Sequence, residues 1–257
     1  MSNVLNAAQT VEFNEKGFTY ARGLFAPDEV GLLTRAMEED PAVRGSILDR
    51  RDGEGRSTRI ALWNRAGDSV YGLAARCERM VDTTAALLGG PVYHYQSKLT
   101  AKEPEVGGAW EWHQDYGYWY NNGCLFPLLA SCLIAVDRAN RENGCLQVIR
   151  GSHEMGRIDH GKTGDQTGAD MERVEAALER MELVYIEAEP GDALFFHSNL
   201  LHRSDQNTSP NPRWSLICCY NAARNDPYKE SRHPRYTPLV KVSDSAIKDW
   251  SNQHPAP

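Results

Sequence analysis

Nothing in this 257-residue chain matches the spacing of a disulfide framework or a zinc ribbon. Its six cysteines (Cys77, Cys124, Cys132, Cys145, Cys218 and Cys219) form no C-x-x-C pair, and several sit inside apolar runs such as SCLIAV and SLICCY. Buried free thiols are expected, because cysteine in such runs behaves as a small hydrophobe. No apolar stretch approaches the roughly 18 residues of a membrane span. The opening MSNVLNAAQTVEFNEKGF lacks the basic and apolar regions of a secretion signal, so a cytoplasmic protein is expected. A basic excess is missing as well: 35 acidic and 28 basic residues give a net charge of -7. Nucleic acid is therefore not an expected partner, and an anionic ligand must be held by locally placed Arg or Lys. Internal repeats and low-complexity tracts are absent too. Residues 1–257 are expected to form one domain that binds a small molecule, with SNQHPAP as a polar tail; the oligomeric state stays open.

What is present changes character along the chain. The first ninety residues read as mainly helical. FAPDEVGLLTRAMEED opens with Pro and acidic residues and carries apolar positions at helical spacing; SVYGLAARCERMVDTTAALLGG repeats the pattern and stops at Gly89-Gly90. FNEKGFTYARGLF reads as a short strand entering the first helix. From residue 91 to about 225, short β-rich runs alternate with turn residues: PVYHYQSKLTA, AWEWHQDYG, LASCLIAVD, GCLQVIRGS, LVYIEAE, DALFFHS and RWSLICCYNA. GADMERVEAALERME reads as a helical insertion with an exposed charged side, and residues 226–257 as a C-terminal loop and tail. Helices followed by some seven short strands indicate a mainly β jelly roll with packed helices, a scaffold that encloses small-molecule sites.

One stretch carries chemistry. In WEWHQDYGYWY, strand alternation would point His113 and Asp115 to the same side, where both reach one ion. The pair alone is weak evidence, since eight histidines and 35 acidic residues supply about one H-x-[DE] by chance. A third histidine raises it: His202 follows a strand in GDALFFHSNLLHRSDQNTSPNPRW, with Ser204 and then Arg213 beyond it. Two imidazoles and one carboxylate on one face of an ion leave three open positions, the arrangement that suits non-haem Fe(II) activating O2. An arginine near the third ligand can form a bidentate pair with the distal carboxylate of a 2-oxo acid. His197 competes with His202 but sits within or at the end of the strand. His153 is expected to fix a turn through the backbone; His160, His233 and His254 are expected in solvated polar loops. His94, Gln96, Lys98 and Thr100 fall on one side of their strand, and four polar groups in a row are expected to line a cavity.

The segments HQD, DRANRENGCLQVIRGSH and GDALFFHSNLLHRSDQNTSPNPRW together resemble the phytanoyl-CoA dioxygenase family of Fe(II)/2-oxoglutarate oxygenases, in order and spacing over about residues 10–225; Arg150 stands where that family has proline. The resemblance implies a double-stranded β-helix of the cupin type, Fe(II) held by His113, Asp115 and His202, and 2-oxoglutarate held by Arg213 and Ser204. O2 is the second cosubstrate. QSKLT with WEWHQDYGYW is further similar to the ectoine hydroxylases. That similarity places Gln96 and Trp119 on substrate, puts Tyr116 where those proteins have a threonine, and makes Thr100 the replacement of an asparagine that binds 2-oxoglutarate. Trp110, Trp112 and Tyr118 are taken as packing aromatics, while Glu111 stays open between supporting an imidazole and facing outward. Arg235, with Arg232 beside it, is a candidate for a substrate carboxylate or phosphonate. An aspartate at position 115, where related halogenases have Gly or Ala, favours hydroxylation over halogenation. The expected reaction is hydroxylation of an unactivated C–H of a small polar metabolite (an amino acid, cyclic amine or phosphonate), releasing succinate and CO2. The alternatives are an acyl-CoA or natural-product intermediate as substrate, a zinc or nickel Lewis-acid enzyme, and a non-catalytic binding protein on the same fold.

Overall fold

The computed structural model describes residues 4–39, 47–163 and 165–253. Its centre is an antiparallel seven-stranded sheet in the order β1-β11-β6-β13-β4-β3-β2. The strands are β1 Phe18–Ala21, β2 Leu48–Arg51, β3 Ser57–Trp63, β4 Val92–Lys102, β6 Leu129–Ala135, β11 Ala193–His197 and β13 Arg213–Ala222. Facing it is a four-stranded sheet, β10-β7-β12-β5, made of β5 Trp110–His113, β7 Leu146–Ile149, β10 Leu183–Ile186 and β12 His202–Ser204. A separate hairpin pairs β8 His160–Thr163 with β9 Gln166–Ala169. The central strands β6 and β13 are buried throughout, with a side chain of each parity going to a different core. Cys132, Ile134, Leu216 and Cys218 pack under the helices, whereas Leu133, Ile217 and Cys219 face the inside of the roll. Helices α1 Ala7–Lys16, α2 Pro27–Glu39, α3 Val70–Arg76, α4 Glu78–Leu87 and α7 Ala246–Gln253 are the helical parts of the first core's side. Two more helices, α5 Asp115–Trp119 and α6 Met171–Leu178, lie between strands, α6 being the anticipated insertion. All six cysteines are free and buried, and no helix among the described residues is long and apolar enough to cross a membrane.

Four local details depart from the sequence reading or add to it. The helix-rich first ninety residues also hold a hairpin: the polar segment DRRDGEGRSTR turns at Asp52–Gly55 between β2 and β3, and β2 gives no apolar alternation because it is an exposed edge. Helix α1 lies before β1, and its signal was present in the sequence as a capping box, Asn6 with Gln9, closed by left-handed Gly17. The strand through WEWHQDYG stops at His113, and Asp115 begins α5. Finally, Tyr95 is an extra residue against β13, where Cys219 pairs with Gln96 and Tyr220 with His94. That bulge turns His94 to the helix side, against Tyr220, and leaves Gln96, Lys98 and Thr100 on the inside.

Gly17 joins helix, sheet and loop. Its φ is 84°, and a β-carbon there would lie 2.6 Å from His153 Nδ1 and 2.8 Å from Leu200 Cδ1. Gly17→Ala is expected to destabilise the fold by roughly 2–4 kcal/mol, from left-handed strain plus overpacking. Urea denaturation checks this, and a change under about 0.5 kcal/mol contradicts the packing described.

Candidate active site

The antiparallel pairing of β5 with β12 sets His113 directly across from His202, with ring centroids 4.0 Å apart. Asp115 joins them from the first turn of α5, so that one ligand atom from each of the three lies within 4.8 Å of the others, all buried. Each imidazole is oriented by its own backbone: Nδ1–H of His113 donates to the Glu111 carbonyl (2.7 Å), and Nδ1–H of His202 to the Leu200 carbonyl (2.8 Å). That tautomer leaves Nε2 of both rings as a lone pair, as metal ligation requires. Burial, followed by the neighbouring His202, holds His113 well below its usual pKa, and burial also lowers His202. Both rings are therefore neutral near pH 7. Burial alone would raise the Asp115 carboxyl, but the Lys98 ammonium, with the hydrogen bond from Ser131, outweighs it and holds the group below the usual carboxylate range. Ser131 Oγ–H donates to Asp115 Oδ2 (2.8 Å) and Lys98 Nζ to Oδ1 (3.2 Å). A neutral pair of imidazole nitrogens with one carboxylate oxygen fits a divalent transition metal such as Fe(II).

Gln114, which the motif reading passed over, fixes this geometry. Fully buried, its Nε2 donates to the carbonyls of Gly156 and Asn199 (2.8 Å each), and its Oε1 accepts the Ile158 N–H (2.7 Å). Its own N–H donates to His160 Nε2 (2.9 Å), while His160 Nδ1–H donates to the Ile158 carbonyl (2.8 Å). The middle residue of H-x-D thus ties the start of α5 to two loops, and only its type, an amide with donors and acceptor together, hinted at this.

Two cavities meet at these residues. One is lined by Thr58, Thr100, Lys102, Ser204 and Arg213 and reaches His113 and His202. Arg213 is buried there, its pKa pulled down to about 10 by burial, and its Nε has no hydrogen-bond partner. An unpartnered buried guanidinium is costly unless an anion completes it, so this cavity fits the distal carboxylate of 2-oxoglutarate. The second cavity is lined by Gln96, Lys98, Trp110, His113, Asp115, Tyr118, Trp119 and His160, with Arg50, Leu48, Asn64, Arg232 and His233 toward its rim. Gln96 and Trp119 thus line the second cavity, and Thr100 lies in the first.

Other candidates fall elsewhere. Tyr116, which the resemblance put beside substrate, is buried with its hydroxyl donating to the Cys124 carbonyl (3.0 Å) and does not line this cavity; Tyr118 on helix α5 lines it instead, 5.6 Å from the His113 ring. Trp110 also lines both cavities, whereas Trp112 packs under Arg203. Arg235 is paired with Asp226 (2.6 Å) and Glu230 (3.4 Å) and lines a different depression, beside His94. His160 and His233 are half-buried rather than in open polar loops, and His233 stacks on Tyr95 with ring centroids 5.2 Å apart. His153 Nε2–H donates to the Asn14 carbonyl (2.9 Å), and His197 packs beside His153, away from the triad. Glu111 turns outward and accepts the Gly53 N–H (3.0 Å). His254 lies outside the described residues.

A jelly roll that leaves one side of two histidines and a carboxylate open to a cavity with an unpaired guanidinium is the architecture of an Fe(II)- and 2-oxoglutarate-dependent dioxygenase. Residues 13–215 match the phytanoyl-CoA dioxygenase family, and the chain belongs to that family. L-proline trans-4-hydroxylase of Streptomyces griseoviridis is 33% identical over 194 residues, 69% of this chain and 71% of that protein. Ectoine dioxygenase of Sphingopyxis alaskensis is 28% identical over 236 residues, 86% of this chain and 77% of the relative. The crystal structure of EctD from S. alaskensis with bound Fe superposes with a TM-score of 0.79 at 25% identity, covering 94% of this chain and 88% of that one. Its complex with 2-oxoglutarate and 5-hydroxyectoine gives 0.75 at 26% identity, covering 96% and 87%. The protein is an iron- and 2-oxoglutarate-dependent dioxygenase, with O2 as its other cosubstrate.

Two substitutions test the positioning network. Gln114→Leu, which leaves buried partners unpaired, is expected to cost roughly 2–4 kcal/mol and to weaken Fe(II) binding; unchanged urea stability and metal affinity contradict it. At Gly117 a β-carbon would lie 2.1–2.4 Å from the His160 ring atoms. Gly117→Ala is expected to displace His160, visible as a shifted imidazole resonance in NMR, while a retained resonance would show that the ring is not held there.

Proposed function

We propose that the protein hydroxylates an unactivated C–H of a small polar metabolite bound in the second cavity, with 2-oxoglutarate held in the first. The observation that carries this reading is the meeting of the two cavities at one buried His-Asp-His cluster, one cavity ending in Arg213 and the other walled by Trp119 and Tyr118. The relatives named L-proline trans-4-hydroxylase and ectoine dioxygenase support a small, polar, nitrogen-bearing substrate class.

In this reading His113, Asp115 and His202 hold Fe(II) through two Nε2 atoms and a carboxylate oxygen. When bound, the iron with 2-oxoglutarate and O2 supplies the oxidising power for hydroxylation, releasing succinate and CO2. The chain's own residues position and shield. Arg213, with Ser204 and Thr100 beside it, receives the distal carboxylate of 2-oxoglutarate in a pocket where burial strengthens the charge-assisted pair. Ser131 and Lys98 hold the Asp115 carboxylate in one orientation. Trp119, fixed edge-on against Tyr95 at 5.2 Å, and Tyr118, whose hydroxyl donates to the Thr167 carbonyl (2.6 Å), form a rigid wall that aims the substrate carbon and keeps water out. Gln96 presents an amide from β4 on the other side.

Asp115→Ala is expected to abolish 2-oxoglutarate-dependent succinate formation, and full retention would remove the triad from its role. Arg213→Ala is expected to raise the KM for 2-oxoglutarate about 30- to 150-fold, the loss of a charge-assisted pair being on the order of 2–3 kcal/mol. An unchanged KM, measured by succinate release at varied 2-oxoglutarate, removes Arg213 from that pocket.

A further inference from the structure

We infer that Lys98 keeps the iron ferrous: its ammonium, sharing the Asp115 carboxylate with the ion, sets a positive charge beside the metal that penalises Fe(III) more than Fe(II). The inference rests on the reading of His113, Asp115 and His202 as the iron ligands and adds to it what holds the oxidation state of the ion.

The position of Lys98 is the starting observation. It lines both cavities, as Ile60, Trp110 and His113 also do, and so stands where the two meet. Its backbone lies in the interior of the seven-stranded sheet, opposite Leu62 on β3 and Ile217 on β13, so the residue is fixed from both sides and its stem crosses to the start of α5. The side chain is 12% exposed, and Nζ meets Asp115 Oδ1 at 3.2 Å while Ser131 holds Oδ2. The other cations of the cavities are Lys102, Arg203 and Arg213 in the first and Arg50 and Arg232 in the second. Among the described residues Lys98 is the one of these that pairs with a member of the triad.

Stability does not account for a cation at this place. Taking an ammonium and a carboxylate out of water offsets most of their attraction, so a buried pair adds little that a well-packed apolar side chain would not. Orientation does not require the charge either. Asp115 begins α5, which Gln114 anchors to the neighbouring loops, and Ser131 donates to its second oxygen. An uncharged donor on Oδ1 would complete that arrangement, and what a lysine adds is the charge. The two imidazoles are neutral, so Lys98 is the cation that shares a ligand with the ion. Its repulsion grows in proportion to the charge on that ion, and the enclosed surroundings leave it poorly screened. The ammonium also draws electron density from the Asp115 carboxylate, and a trivalent ion depends more heavily on an anionic ligand than a divalent one does. Both effects displace the one-electron couple Fe(III) + e⁻ → Fe(II) toward Fe(II), the state from which O2 is activated.

The test is the midpoint potential of the iron-loaded protein without 2-oxoglutarate, measured by anaerobic titration with redox mediators and followed by the electron paramagnetic resonance signal of high-spin Fe(III). Lys98→Met and Lys98→Gln are each expected to shift the ratio of Fe(III) to Fe(II) affinity about tenfold or more toward Fe(III), a fall of about 59 mV or more in potential. Lys98→Arg keeps the charge and should retain most of the native potential. Ser131→Ala removes an uncharged donor from the other oxygen and should move the potential far less than Lys98→Met does. Mn(II), titrated by the same spectroscopy, reports on divalent binding alone: both neutral variants are expected to bind it at least as tightly as the native protein. An unchanged potential in Lys98→Met and Lys98→Gln, an equal fall in Ser131→Ala, or loss of Mn(II) binding in both neutral variants overturns the inference, the last because Lys98 would then be a structural prop of Asp115. A failure of the ligand reading looks different: the native protein would bind neither Mn(II) nor iron, or would bind them equally well after His113→Ala and His202→Ala.

Discussion

Two imidazoles with centroids 4.0 Å apart in a buried site tolerate one another only while uncharged, since a pair of imidazolium ions at that distance would repel by about 4 kcal/mol even at an effective dielectric constant of 20. The fold meets this constraint twice over. It buries both rings, and it ties each Nδ1–H to a backbone carbonyl two residues earlier in the chain, so the remaining lone pairs converge. The β5–β12 register that sets His113 opposite His202 is in this sense the constraint from which the site follows. Shift it by one residue, and one imidazole would point to the other side of the sheet.

Asp115 depends on a different device. Because the strand ends at His113, the carboxylate is delivered by the first turn of α5, and Gln114 anchors that turn to the loops at Gly156, Ile158 and Asn199. Lys98 and Ser131 then hold both carboxylate oxygens from β4 and β6. The triad is thus supported by both sheets of the roll. The same α5 turn carries Tyr118 and Trp119 into the second cavity, coupling the orientation of a proposed ligand to the shape of the substrate wall.

The fold class was legible because its evidence is additive: seven strand runs and the helices before them each carry apolar spacing of their own. What escaped was structure without an apolar signature. The edge strand β2 is polar and exposed, and the reversal of His94 comes from a bulge that pairing partners, not local residues, determine. In the site, His113, Asp115, His202 and Arg213 were legible as a set because their spacing is itself the motif, and the structure brings them together. Tyr116 was placed by the resemblance alone, and the helical turn of α5 carries Tyr118 rather than Tyr116 into the second cavity. Arg235 lies off the second cavity for a reason no local pattern shows, its ion pairs with Asp226 and Glu230.

The first cavity ends in buried Arg213, whose Nε has no hydrogen-bond partner, so it is built to be completed by an anion beside a neutral His pair and one carboxylate. The central claim is that this anion and the metal meet at His113, Asp115 and His202. The measurement that tests it most directly is an anaerobic crystal structure with Fe(II) and 2-oxoglutarate. The account predicts the ion on His113 Nε2, His202 Nε2 and one Asp115 oxygen, with the distal carboxylate of 2-oxoglutarate on Arg213; iron bound elsewhere, or 2-oxoglutarate turned away from Arg213, would contradict it.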